Sequence, residues 1–149
     1  MSVNIIVAYL HYLSLMLSFT ALTLEAFILK MELSLQDAWK IVIADVVYGI
    51  SVVSLLATGV LRVLYFGKGA DYYLHNPFFY IKLSIFLVVG LLSIYPTISF
   101  IKWIKDLQQN QAPQLEEVKL NRLLWLIRGE LIGFVLIPLL AATMARYSP

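Results

Sequence analysis

The sequence predicts an all-α integral membrane protein, an up-down bundle of four transmembrane helices folded as a single domain. Three observations carry that reading. Of the 149 residues, 61% are hydrophobic with Tyr included and only 13% are charged, where soluble domains hold about 45–50% apolar and about 25% charged residues. A soluble fold of this size has too little interior to hide so much apolar surface. Four runs reach the length of about 20 mostly apolar residues that a transmembrane helix needs. The runs are continuous and do not alternate, which argues against strands of a membrane barrel, and helices satisfy their own backbone hydrogen bonds in lipid.

The spans lie at about 4–29, 38–66, 77–104 and 117–146. The core of the first, Ile5 to Leu24, carries no charge beyond whatever His11 holds. It does not read as a cleaved signal, because no Lys or Arg precedes it and no small-x-small site follows. Ser34 and Asp37 form a capping-box pattern ahead of the second span, whose core contains one charge, Asp45. Gly67-Lys68-Gly69 ends that span, and Asn76-Pro77 opens the third with proline in the first turn. Pro96 and Pro138 lie inside the third and fourth spans, where each removes an amide donor and is expected to kink its helix. Gln108–Gln114 reads as a solvated loop. The links are short, so consecutive helices are antiparallel neighbours.

Charge and composition then exclude function classes. A net charge of +2 is too small to mark a polyanion partner, so nucleic acid is excluded. Without cysteine there is no disulfide framework and no thiolate metal site. No Gly-rich phosphate loop, nucleophile elbow or zinc-protease pair is present. Lys30, Lys40, Lys102, Lys105, Lys119 and Arg122 flank one side of the spans, against Arg62, Lys68, Lys82 and Arg146 on the other. That bias places both termini outside the cytoplasm of a bacterial inner membrane. Tyr9, Tyr12, Tyr65, Tyr72, Tyr73, Tyr80 and Tyr147 gather on the outer side and read as an ordinary interfacial belt. The partners implied are the lipid bilayer and, through apolar faces, a second membrane protein or another copy of the chain.

Ionisable residues inside a span cost at least about 2.5 kcal/mol each on insertion scales, so each calls for a partner or a purpose. Asn4, His11, Ser18 and Glu25 recur every seventh residue with Ser14 between them, which aligns them along one stripe of the first helix. Toward the outer face stand His11, Arg62 and Lys82, with His75 in the adjacent loop. Toward the inner face stand Glu25, Asp45, Arg128 and Glu130. Arg128 and Glu130 are two residues apart and point to different sides of their helix. Glu130 is expected to face the bundle with Gly133, Ile137 and Ala141, and Arg128 to snorkel toward headgroups. Three carboxylates with only Arg128 and Lys40 to share cannot all ionise cheaply.

Three readings follow from these residues. Imidazole is a usual axial ligand of b-type haem, and cations hold its propionates. His11 would then bind iron, with Lys82, Arg62 and Lys68 on the propionates and His75 as a candidate second ligand. The other two are a non-enzymatic membrane subunit or assembly factor whose polar residues only pair helices, and a proton or small-ion path along Asn4, His11, Ser18 and Glu25.

Several stretches carry a resemblance. Arg62-Val63-Leu64-Tyr65-Phe66-Gly67-Lys68-Gly69 with Tyr73-Leu74-His75-Asn76-Pro77-Phe78-Phe79, and Leu91-Leu92-Ser93-Ile94-Tyr95-Pro96-Thr97 with Pro138 to Arg146, resemble an uncharacterised family of small bacterial four-helix membrane proteins. More distantly, Ala8-Tyr9-Leu10-His11 and Phe79-Tyr80-Ile81-Lys82-Leu83 are similar to motifs of HemJ-type protoporphyrinogen oxidases and the CopD group. That second resemblance implies a haem ligand at His11 and a functional cation at Lys82. Met16-Leu17-Ser18-Phe19-Thr20 departs from the HemJ-type pattern, so the resemblance carries haem binding and a redox or haem-handling role, not protoporphyrinogen oxidation.

Overall fold

The computed structural model describes residues 2–147. Ser2 caps the first helix, its hydroxyl accepting from the Asn4 amide at 3.2 Å, and α1 runs Val3–Ile28. Ser34 caps α2 (Leu35–Leu61) by accepting from the Asp37 amide at 3.0 Å. The Asp37 carboxylate pairs with Lys30 at 3.3 Å and Lys40 at 3.8 Å. A π-helical turn, Arg62–Phe66, carries α2 on before the chain turns at Gly69, whose φ of 96° suits glycine. A five-residue helix, α3 (Ala70–Leu74), follows in the link that the sequence reads as loop. Asn76 caps α4 (Pro77–Gln108), its Oδ1 accepting from the Phe78 amide at 3.1 Å. Asn110, at φ 59°, stops α4 in the left-handed conformation that asparagine tolerates. The last helix, α5, runs Glu117–Arg146. Helices α4 and α5 continue through Pro96 and Pro138. All four long helices are long and apolar enough to cross a membrane, so the fold is an all-α membrane bundle.

The helices pack as a ring in the order α1, α2, α4, α5, with the tightest seams between α1 and α2 and between α4 and α5. The links at one end meet: Glu32 and Gln114 form an antiparallel bridge, and the Leu115 amide donates to the Met31 carbonyl at 3.0 Å. Beneath that bridge, Leu29, Leu33, Leu107 and Leu115 are buried and plug the end of the bundle. At the other end, the Tyr72 hydroxyl and the Asn76 side-chain amide both donate to the Met144 carbonyl at 3.0 Å. They strap α3 across the end of α5. Large apolar residues such as Phe27, Ile50, Leu91, Trp125 and Ile132 point outward, as a lipid-facing surface requires.

Candidate functional site

The seven-residue stripe on α1 does not stay in one environment. Asn4 is exposed, His11 half-buried, and Ser14, Ser18 and Glu25 are buried. The serines use their helical back-bonds, with Ser14 on the Leu10 carbonyl at 2.6 Å and Ser18 on the Ser14 carbonyl at 2.8 Å. Ser14 also meets Ser54 of α2 at 2.8 Å, and His11 Nδ1 meets Thr58 Oγ1 at 2.9 Å. Between Ser18 and Glu25 the buried positions are Ala21 and Leu22. The polar stripe is therefore two separate clusters, one at each half of the bundle.

His11 of the first cluster faces a cavity of about 580 Å³. Its walls are mostly apolar: Leu15, Leu55, Val63, Phe79, Phe86 and Ile137 contribute, with Pro138, Ala141 and Met144 at the α5 side. Into this setting come His11 from α1, Arg62 from the π-helical turn, Lys68 from the following loop and Lys82 from α4. The structure thus brings together three of the four cofactor-binding residues expected from sequence. The fourth, His75, is exposed, does not line the cavity, and points Nδ1 at the Asp71 carbonyl of its own short helix at 2.9 Å. The α3 link reaches the cavity instead through Lys68, Tyr72 and Tyr73.

The cations there have aromatic neighbours. Arg62 lies over the Tyr12 ring at 5.3 Å, Lys68 over Tyr72 at 5.0 Å, and Lys82 over Phe79 at 6.0 Å. Among the described residues, ion pairs form only at Asp37, so none of these three cations has a carboxylate partner. Three positive charges at one apolar cavity favour an acidic guest. Tyr12, Tyr72 and Tyr73 are thereby more than an interfacial belt. They line the cavity, and Tyr73 is 7% exposed. The sequence signal for them was only their place beside the loop, since ring packing depends on how helices meet.

The hydrogen bonds assign a proton to His11 Nδ1. Thr58 donates its one hydroxyl proton to the Ser54 carbonyl at 2.7 Å, as helical threonines do. Its oxygen then accepts from His11 Nδ1–H, so in the neutral ring Nε2 is the nitrogen with the free lone pair. Gly59 packs against the ring: a Cβ there would meet His11 Cε1 at 3.4 Å, an ordinary contact.

The second cluster draws on all four long helices. Glu25 of α1 lies beside Asp45 of α2, and Glu130 of α5 lies beside Tyr48 of α2. Thr97 of α4 donates to Asp45 Oδ1 at 3.3 Å. Glu25 is 0% exposed and Glu130 1%, and neither carboxylate has a hydrogen-bond partner among the described residues. Glu130 shares its buried face with Gly133 and Ile137. The cations expected to serve this cluster are elsewhere. Lys40 pairs with Asp37. Arg128 is exposed and lies over the Trp125 ring at 5.4 Å. The two-residue spacing that turns Glu130 inward turns Arg128 out to the surface, where the indole next to it is the accessible partner.

Residues 3–147 match the family described as Predicted membrane protein (DUF2214). The chain belongs to this family. No curated protein and no solved structure matches it. Nothing in these comparisons supports a likeness to HemJ-type or CopD proteins. What membership in the DUF2214 family adds is that the protein is a membrane protein over nearly its whole length; its chemistry has to be argued from the cavity and the carboxylates.

Proposed function

We propose that the cavity is a b-type haem site, and that the protein has a redox or haem-handling role in a bacterial inner membrane. The observation that carries this reading is the bond between His11 and Thr58 at the cavity wall. His11 Nδ1 is engaged by Thr58, so Nε2 is the atom offered to iron. A haem-ligating imidazole held by its other nitrogen is the usual arrangement at metal sites. The volume of about 580 Å³ suits the group, since cofactor sites run from about 300 to about 1,000 Å³. Arg62, Lys68 and Lys82 would hold the two propionates, and the apolar walls would cover the macrocycle. A haem bound there supplies one-electron chemistry. The chain's own part is to present one imidazole, to balance the propionates and to keep water from the ring faces.

The excess of Lys and Arg at the opposite end of the bundle supports an orientation with both termini and the cavity on the outer side. One set of observations favours a second reading, a membrane subunit or assembly factor. The bonds His11–Thr58 and Ser14–Ser54 join α1 to α2 across the helix contact, as purely structural polar pairs do. A direct test separates the two. The full chain is purified in detergent after growth with added haem precursor, and its absorbance is recorded with that of His11→Ala. A Soret band that His11→Ala loses supports haem. A colourless wild type, or a band that persists in His11→Ala, overturns it.

A further inference from the structure

The three carboxyl groups at the far half of the bundle have no part in that reading. Glu25 stands ten residues beyond Leu15 of the cavity wall, which at about 1.5 Å per residue is about 15 Å along α1. Ala21 and Leu22, 2% and 1% exposed, close the space between. On the other side Leu29, Leu33, Leu107 and Leu115 plug the end of the bundle. The carboxyls are thus enclosed from both directions.

From the geometry we propose that Glu25, Asp45 and Glu130, with Tyr48 among them, form a proton-binding centre separate from the cavity. Acidic residues alone would not carry this. Tyr48 supplies the independent observation: it is 3% exposed, its hydroxyl has no hydrogen-bond partner, and it lies beside Glu130. A tyrosine hydroxyl is both donor and acceptor, and a buried one without a partner is rare. It is aimed into a cluster whose four carboxylate oxygens on Glu25 and Glu130 are also unpartnered. Such groups are satisfied together when a carboxyl brings its own O–H, because a protonated carboxyl donates where a carboxylate only accepts.

The charges around the cluster point the same way. From α1 the facing group is Glu25; from α2, Asp45 and Tyr48; from α5, Glu130. Helix α4 contributes only the hydroxyls of Ser93 and Thr97. No cation joins them, since Lys40 is held by Asp37 and Arg128 lies on Trp125 at the surface. Counter-charge must therefore arrive as protons or as a metal ion. The unpartnered Tyr48 hydroxyl beside Glu130 favours the proton, because a carboxylic O–H supplies the donor these oxygens lack. Intramembrane carboxyls of this kind mark proton relays in membrane proteins.

The test uses a carbodiimide, which reacts with protonated carboxyls in apolar surroundings. The full chain in liposomes at neutral pH is treated with dicyclohexylcarbodiimide, and peptide mapping by mass spectrometry locates the adduct. Labelling at Glu25 or Glu130 that declines as pH is raised, with equal yield in sodium, calcium or choline chloride, is the expected result. Absence of label at both residues overturns the proposal, and so does protection by sodium or calcium, which would mark a cation site. Glu25→Gln and Glu130→Gln should each lose the label at the substituted position. Should either variant fail to fold, the infrared spectrum of the wild type decides the question. A carboxylic C=O band that shifts in heavy water is expected, and its absence overturns the proposal.

Discussion

His11 Nδ1 and Thr58 Oγ1 lie 2.9 Å apart across the α1–α2 seam, and the Thr58 proton is already committed to the Ser54 carbonyl. The bond thus has one direction. Thr58→Val keeps the shape and removes the acceptor, so the ring loses the contact that fixes its tautomer. Groups at this position typically change metal affinity by about 10- to 100-fold. Haem titration of Thr58→Val should show a loss in that range with the helical content unchanged. Affinity equal to wild type would remove Thr58 from the site.

Lys82 and Arg62 face the cavity on aromatic rings and without carboxylate partners. Lys82→Met and Arg62→Met should each speed loss of haem to an acceptor protein while leaving the Soret maximum in place. A displaced maximum would mean that the side chain touches iron and not a propionate.

Arg128 is exposed on Trp125 and takes no part in the carboxyl cluster. Arg128→Leu should alter stability by no more than about 0.5 kcal/mol, the usual scale of a surface change. Thermal unfolding in detergent measures it. A large loss would show that Arg128 serves Glu130 after all.

Gly133 faces Val89 at the α4–α5 seam, and a Cβ on Gly133 would overlap Val89 Cγ2. Gly49 has open space around it. Gly133→Val should therefore cost about 1–3 kcal/mol, as overpacking does, while Gly49→Ala should be close to neutral. Equal effects in the two variants would mean that the seam can open to take the larger residue.

Reporter fusions read the orientation. With both termini outside, a fusion after Gln111 should report from the cytoplasm and one at the C-terminus from the outer side. A cytoplasmic C-terminus would exchange the faces on which the cavity and the carboxyls lie.

The sequence was most informative where a single residue acts on its own neighbours. Ser34 and Asn76 could be read as caps because capping is settled within three residues. The inward side of Glu130 follows from helical spacing alone. The short α3 was not legible, because it is held by the strap from Tyr72 and Asn76 to Met144, about 70 residues away in the chain, and nothing in the structure accounts for the π-helical turn at Arg62–Phe66. The carboxyl cluster was seen as charges at one depth, but its partners were misassigned. Lys40 lies one turn from Asp37 and is taken by it, a local competition that depth alone does not reveal. Tyr48 escaped notice because nothing in the sequence distinguishes a tyrosine pointed at acids from one pointed at lipid.

The ring order places each long helix tightest against its neighbour in sequence, α1 on α2 and α4 on α5. During synthesis, two hairpins can thus enter the membrane complete in themselves. Glu25 and Asp45 arrive on the first, Glu130 on the second; His11 and Lys82 are divided in the same way. A half-made molecule has neither the cavity nor the carboxyl cluster. Docking of the hairpins is the event that forms both the cavity and the carboxyl cluster, so a cell that degrades undocked hairpins never meets buried carboxyls without their neighbours.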